Sequence, residues 1–448
     1  VIPSSPVVVK RLLQPHQRLV WLLALVALLS FVSVWMGIDQ PWYIVILAWP
    51  LLDLLRVSQF PPPSVQRQLP GHLPLNRTAS VTLSLDWWPA GPNAASVQAK
   101  FQAEVTDDVP GGQPAQRQHV QLQPGARHQL TYTLCPRRRG PLQLKHCWVR
   151  IRSPFGFWWR GWQLQVVTST RVYPDFTKVE SYRLMAMDQH RNQMGIHLRQ
   201  KRGEGSDFLQ LRDYREGDGL RQIDWNATAR RHRLISREYQ EDRDQQLVLM
   251  LDSGRRMLAE DEELTFFDRC LNGLLMLSYA ALRQGDSVAM MSFADQQRLL
   301  PAVKGSAALN RLLNHFYDLY PTAQASDYLA AAATLTERFP KRALVVIATT
   351  LRDSDTAEIL AAWHLLSRKH FVVLANLREP ALDAVLHHPV GDFAEARHFI
   401  GVHTLLRQRE QIQTRLRAEG MIVLDCTPIA LSAMLINTYL AIKSSGYL

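Results

Sequence analysis

The sequence predicts a multidomain chain: an N-terminal transmembrane helical hairpin, an all-β sandwich, and an α/β doubly wound domain. Three patterns predict it. Residues 19–38 are apolar, uncharged and about the length of a bilayer-crossing helix. From 65 to 175 the chain breaks into short alternating strands separated by Pro, Gly and Asn. From 246 onward, continuous apolar strands alternate with helical segments, as in a mostly parallel sheet covered on both faces. The 448 residues suit roughly three domains, and a 47% hydrophobic, 20% charged composition excludes a disordered chain.

Taken in order, residues 1–18 form a short segment carrying Lys10, Arg11 and Arg18. The first apolar run is too long for a secretory signal and lacks a small-residue cleavage site. A second run, WYIVILAWPLLDLL at 42–55, follows at once. That second run is short and holds Pro50, which membrane helices tolerate, and Asp53, expected near the interface. Residues 19–56 are therefore read as a hairpin. Arg56 and Arg67 follow it, and the turn at 39–41 has no Lys or Arg. Both flanks, and the large C-terminal part, are expected on the cytoplasmic side. Trp21, Trp35, Trp42 and Trp49 suit interfacial belts.

A Pro-rich spacer leads into the sandwich, residues 65–175, which carries no catalytic motif and reads as a spacer or interaction module. The four cysteines, Cys135, Cys147, Cys270 and Cys426, have neither C-x-x-C nor zinc spacing. They read as reduced thiols, with a Cys135–Cys147 bridge across a hairpin left open.

Residues 245–448 form the α/β domain. Ligands of such sheets bind at the carboxyl ends of the strands, which directs attention to Asp252, Thr349, Thr350 and Asp425. The LDSGRRM loop after the first strand resembles that of von Willebrand factor A domains. In those, a D-x-S-x-S loop, a Thr and a second Asp supply oxygens to Mg²⁺. Here Asp252 is kept, Gly254 and Arg256 stand at the two serine positions, and Thr349 stands where the distant Asp is expected. Asp252 and Asp327 are the metal candidates of a degenerate site, with Asp353 and Asp355 slightly beyond. Arg255 and Arg256 place positive charge where a cation would sit, so no cofactor, Mg²⁺ included, is expected. There is no G-x-x-x-x-G-K-[ST] phosphate loop, no G-x-S-x-G elbow and no H-E-x-x-H, so an enzyme is not expected.

The connector, residues 176–244, contains LRDYREGDGLRQIDWNATARR at 211–231. The formal net charge of +11 comes from 51 Lys and Arg against 40 Asp and Glu. In the connector, however, arginines alternate with carboxylates. That suits internal pairing rather than a phosphate track, so no nucleic acid is expected. Gly203, Gly205, Asp207, Phe208, Leu211, Arg212, Tyr214, Gly217, Asp218, Arg221, Ile223, Asp224, Trp225, Ala227, Thr228, Ala229 and Arg230 together make a G-x-G-x-[DE]-F…L-R-x-Y-x-x-G-D-x-x-R-x-I-[DN]-W motif. This motif resembles the core of the domain of unknown function 58 family. REYQED at 237–242, RRRGPLQL at 137–144, SPFGFW at 153–158 and VYP at 172–174 are similar to the family's other stretches, with Ser153 where an Asp is usual.

The resemblance implies a bacterial inner-membrane, multi-pass protein with a β-sandwich and a von Willebrand factor A-like (Rossmann-like) domain. It also implies a non-enzymatic adaptor working with a MoxR-type AAA+ ATPase, with other von Willebrand factor A-like proteins as further partners. Arg212, Tyr214, Asp218, Arg221, Asp224, Trp225 and Arg230 are the expected partner-binding or interdomain residues. Trp225 and Ile223 are expected to anchor the segment, and Gly217 and Gly219 to allow a tight turn. The alternative is metal-dependent ligand binding or hydrolysis at the strand ends, using Asp252 with Asp353 or Asp327.

Overall fold

A computed structural model of the chain describes residues 7–36, 42–87, 100–109, 117–175, 207–215, 223–240, 245–261, 263–305 and 307–445. They fall into two compact units, Val1–Tyr173 and Pro174–Leu448.

In the first unit, strand β1 (Val8–Pro15) precedes the two apolar helices, α1 (Gln17–Trp35) and α2 (Trp42–Ser58). Among the described residues α1 is the helix long and apolar enough to cross a membrane. Seven strands follow α2: β2 (Ser64–Gln68), β3 (His72–Pro74), β4 (Ala79–Asp86), β5 (Phe101–Asp107), β6 (Arg117–Leu122), β7 (Arg127–Leu134) and β8 (Gly140–Arg152). The unit ends with β9 (Trp158–Tyr173). One sheet runs β1-β9-β8-β5-β6, with β3 beside β9; the other runs β2-β4-β7. Alternation along the strands buries Val81, Leu83 and Leu85 from one sheet, and Val149, Ile151, Trp162 and Leu164 from the other.

Three features of this unit were not read from the sequence. Residues 8–15 are an edge strand of the larger sheet, with Leu12 opposite Gly161, and do not stand apart from the sandwich. Arg67, read as a flanking charge, lies inside the sandwich. Its Nε donates to Asp107 Oδ2 at 2.9 Å, and its other nitrogens to the carbonyls of Leu144 and His146, each at 3.0 Å. A guanidinium is buried only when paired and hydrogen-bonded, and here it is both. Asp53, expected at the membrane interface, is fully buried. It accepts from Ser153 Oγ at 2.5 Å and from the Phe155 and Phe157 amides, each at 3.2 Å. The carboxylate of α2 therefore holds the SPFGFW turn, and Trp158 adds an indole bond to the Pro50 carbonyl at 2.9 Å. Cys147, Cys270 and Cys426 are buried thiols outside any disulfide.

The second unit opens with an antiparallel pair, β10 (Asp207–Asp213) and β11 (Ile235–Gln240), with a short helix between them, α3 (Trp225–Arg231). The α/β part follows. Its elements in order are β12 (Gln246–Asp252), β13 (Glu260–Asp261), β14 (Leu264–Thr265), α4 (Phe266–Arg283), β15 (Ser287–Phe293), β16 (Leu299–Val303), α5 (Ala308–Phe316) and α6 (Tyr328–Arg338). Next come β17 (Leu344–Thr349), α7 (Thr356–Ser367), β18 (Phe371–Leu377), α8 (Pro380–His387), α9 (Phe393–Ala418), β19 (Ile422–Cys426) and α10 (Leu431–Ser444).

The main sheet has the order β16-β15-β12-β17-β18-β19, parallel except for β16. Connections leave β12 first toward β15 and later toward β17, so the topological switch lies at the carboxyl end of β12. The largely apolar β12, β17 and β18 form the core with Leu335, Ile359 and Leu366 from the covering helices. At the amino end of β15, Lys443 Nζ meets the buried Asp286 at 2.8 Å and fastens α10.

Candidate functional site at the carboxyl end of the sheet

The apolar strand β12 ends in Asp252, whose side chain is fully buried. Its Oδ1 accepts from the Gly254 amide at 2.8 Å and from Ser326 Oγ at 2.5 Å. Its Oδ2 accepts from Thr349 Oγ1, at the end of β17, at 2.6 Å. Tyr328 completes the set. Its hydroxyl lies 2.8 Å from Thr349 Oγ1 and 3.2 Å from Asp252 Oδ2, so its one proton is shared between them. Burial, then the negative charge of Asp252, pushes the Tyr328 phenol well above its ordinary range and keeps it a donor.

Asp327 shapes this site without entering it. It caps α6 by accepting from the Ala330 amide at 2.8 Å, and that turn delivers Ser326 and Tyr328, on either side of it, to Asp252. In place of the alternative reading, Asp252 with Asp327 around a cation, stand a helix cap and a hydrogen-bonded carboxylate. Among the described residues no three His, Cys, Asp or Glu side chains converge. A divalent ion does not fit these side chains. The acceptor positions of Asp252 are already taken. A Cβ at Gly254 would run into Ser326 Oγ and stand 3.0 Å from the Gln324 carbonyl. Arg256, at the other serine position, pairs with Asp355 and donates to Ser354 Oγ at 2.8 Å, tying the loop after β12 to the loop after β17.

Beyond β17 the strand ends carry a network of alternating charge. Arg352 meets Glu379 at 2.7 Å, and Glu379 meets the buried Arg409 at 3.2 Å. Arg409 lies 3.6 Å from Asp425, which also accepts from Asn376 Nδ2 at 2.8 Å. The network roots α9 on the sheet. Further along, α8 and α9 enclose a groove of about 570 Å³ lined by Leu382, Ala394, Arg397, His398, Val402 and Leu405, with Phe393 84% exposed beside it. Thr349 and Asp425 were legible from the sequence as strand-end residues, whereas Ser326, Tyr328, Glu379 and Arg409 were not. The signal for Arg409 was a lone arginine on the sheet-facing side of a polar helix, visible only once that side is known.

In the connector, Asp218 and Arg221 lie outside the described residues. Asp224 caps α3 through the Ala227 amide at 3.0 Å and accepts from Arg237 Nε at 2.9 Å. The Ala227 amide, then Arg237, hold its carboxyl below the usual range. The Tyr214 amide donates to the Leu234 carbonyl at 3.0 Å, and Arg212 Nη1 to the Asp213 carbonyl at 3.2 Å. Arg230 is exposed in the last turn of α3. Of the two expected anchors, Ile223 is buried and Trp225 is not. Trp225 is the first residue of α3 and is 64% exposed. The Asp224 cap and the Asp224–Arg237 pair do the holding expected of the indole.

A 105-residue stretch is 23% identical to the uncharacterized protein YeaD of Bacillus subtilis (strain 168), over 23% of this chain and 24% of that protein. The chain's match thus spans about a quarter of that curated relative's length. Among solved structures, an aerotolerance-related membrane protein from Bacteroides fragilis NCTC 9343 is similar at 20% identity, over 30% of this chain and 67% of that one, with a TM-score of 0.24. Proximal thread matrix protein 1 from the mussel byssus is similar at 11% identity, over 45% and 46%, with a TM-score of 0.27. Both scores are below those of shared folds. Residues 210–420 match the family described as protein of unknown function DUF58, which bears out the family resemblance of the motif from residue 210 onward.

Proposed function

We propose that this chain is a membrane-anchored, non-enzymatic interaction protein that works with a MoxR-type AAA+ ATPase in the assembly or maturation of a client. Its α1–α2 hairpin lies in the bacterial inner membrane, and its soluble parts face the cytoplasm. The observation that carries the reading is the state of Asp252. It stands where a doubly wound sheet would hold a ligand or a metal, and its acceptors are spent on Gly254, Ser326, Thr349 and Tyr328. A carboxylate so engaged acts as a structural keystone. The open features of the second unit are instead the α8–α9 groove and the exposed Phe393 and Ile400.

The strand order and the Asp at the tip of β12 support a von Willebrand factor A-like reading of the α/β part. The hairpin reading is supported by β1 and β2, which precede α1 and follow α2 within one folded unit. The ATPase partnership rests on the family resemblance.

The test is capture from lysate of the native host by the tagged full chain in neutral detergent, with and without ATP. The full chain is required because residues 8–15 are a strand of the sandwich. Nucleotide-dependent retention of a MoxR-type ATPase is the expected result. Tight divalent-ion binding by calorimetry, with no ATPase retained, overturns the reading in favour of metal-dependent chemistry at Asp252.

A further inference from the structure

Shape, backbone and charge together mark the α8–α9 groove as a place where another helix docks. The recessed part of its lining is apolar: Val402 is buried, and Leu382 and Leu405 are half-buried. Beside it Phe393 and Ile400 are 84% and 63% exposed. Along α9 the lining runs from Ala394 to Leu405, a length of about 16 Å at the helical rise. That is three turns of a helix.

Gly401 lines the groove from within α9, where glycine destabilises a helix relative to alanine. Nothing in the chain's own packing calls for it. A Cβ at Gly401 would meet nothing within 4 Å and would project into open space. A missing side chain at that point suits a partner that comes close to the α9 backbone.

The charge at the groove is one-sided. Arg397 is the charged residue of the lining, and it is exposed. Its neighbours one turn away on α9 are Phe393, Ala394, Ile400 and Gly401, so no acid on its own helix faces it. The nearby carboxylates are committed elsewhere. Asp383 pairs with Arg378 at 3.1 Å, and Glu379 holds Arg352 and Arg409. Asp392 caps α9, and Glu395 accepts from the Gly391 amide at 2.7 Å. Among the described residues Arg397 has no ion-pair partner. An apolar groove with a lone cation at its rim is complementary to an apolar ridge that carries a carboxylate.

A bilayer surface would reach Phe393 and Ile400 but not Val402, recessed between two helices. A second copy docking through the same face would set Arg397 of one copy near that of the other, like charge against like. We propose that the α8–α9 groove binds an amphipathic helix of a partner protein, with its apolar stripe over Gly401 and Val402 and an acidic residue paired with Arg397. That a protein partner exists rests on the reading of the chain as an interaction protein; the chemistry of the groove does not.

The test uses the full chain in phosphatidylcholine nanodiscs, which spare the groove from free detergent. The probe is a displayed library of helices about sixteen residues long, with a fixed leucine stripe and randomised flanks. Binders are selected on the wild type and counter-selected on Gly401→Leu. The added leucine fills the groove and replaces a glycine inside a helix, so that variant is expected to melt no lower than the wild type. The selected peptides are expected to be richer in Asp and Glu than the starting library. Arg397→Glu is expected to weaken them roughly tenfold, the effect of setting like charges together at an interface. Arg342→Glu, at the amino end of β17, is expected to change nothing. No binder sensitive to Gly401→Leu, or binders with neutral or basic flanks, overturns the proposal. So does quenching by nitroxide lipids of a dye at Phe393→Cys before any peptide is added, which assigns the face to the bilayer. Dimers in native mass spectrometry that Gly401→Leu dissolves overturn it in favour of a second copy. Acidic binders selected while no ATPase is retained from lysate would sink the ATPase partnership and leave the groove standing.

Discussion

At the residue scale, Asp252 is held by donors of unequal quality. Thr349 Oγ1 is a full donor at 2.6 Å, whereas the Tyr328 hydroxyl is divided between Thr349 and a 3.2 Å contact. Thr349→Val leaves a buried carboxylate short of one donor and is expected to destabilise the second unit by about 1–3 kcal/mol. Tyr328→Phe should destabilise it less, and the two melting curves give the order. Gly254→Ser restores a serine at a metal-loop position. Its Cβ meets Ser326, however, so the expected outcome is lower stability with no gain of Mg²⁺ affinity by calorimetry. Asp224 supplies a pH prediction. Its folded pKa is depressed, so its contribution is complete above the unfolded value of about 3.9 and is lost as pH falls through the lower folded value. Arg237→Gln should move that loss to higher pH, read as earlier loss of amide protection at Ala227. Of this centre Asp252 and Thr349 were legible in the sequence, as residues at strand ends. Asp252 ends an unmistakable apolar strand, but Ser326 and Tyr328 reach it from a loop 74 and 76 residues away.

At the element scale, legibility followed the apolar pattern. β12, β17 and β18 are mostly apolar runs, buried on both faces, with Asp252, Thr349 and Asn376 at or near their carboxyl ends, and were read directly. β1 reads VVKRLLQP, with apolar pairs where a half-buried strand would alternate, and most of its residues are exposed. It is a strand because β9 offers an edge to pair with, which is long-range information absent from its own residues. α8 is short and has no buried residue, so its apolar Leu382, Val385 and Leu386 had no core to mark. The β1–β9 pairing makes its own prediction at Gly161. A Cβ there would lie 3.3 Å from Leu12 Cβ and 3.4 Å from Arg150 Cγ. Gly161→Val is expected to loosen the β1 edge by about 1–3 kcal/mol, since overpacked sites relax by moving backbone. Faster amide exchange in residues 8–15, with β5 and β6 unchanged, is the expected signature.

At the scale of the whole molecule, the fold constrains the membrane path more tightly than the charge count does. Arg67 is buried against Asp107 and cannot act as a flanking charge in the folded chain, so that argument rests on Lys10, Arg11, Arg18 and Arg56. The pairing of β1 with β9 adds a condition that charge counting lacks. The chain enters α1 from a strand of the sandwich and, after α2, returns to that sandwich at β2. A single crossing would put β1 and β2 on opposite sides of the bilayer and break the unit. An even number of crossings keeps it whole, although α2 has only 17 residues, includes Pro50 and commits Asp53 to the SPFGFW turn. A short helix so fastened is expected to sit with its Asp53 end at the sandwich and its Trp42 end toward the far leaflet. Single cysteines test this in a background lacking the four native thiols. Gln40→Cys should react with a membrane-impermeant maleimide in intact cells, and Gln408→Cys, on the exposed side of α9, only after the cells are opened. Labelling of both positions in intact cells would place the soluble parts outside. Protection of Gln40→Cys in both preparations would mean that the hairpin lies along the membrane surface or against protein.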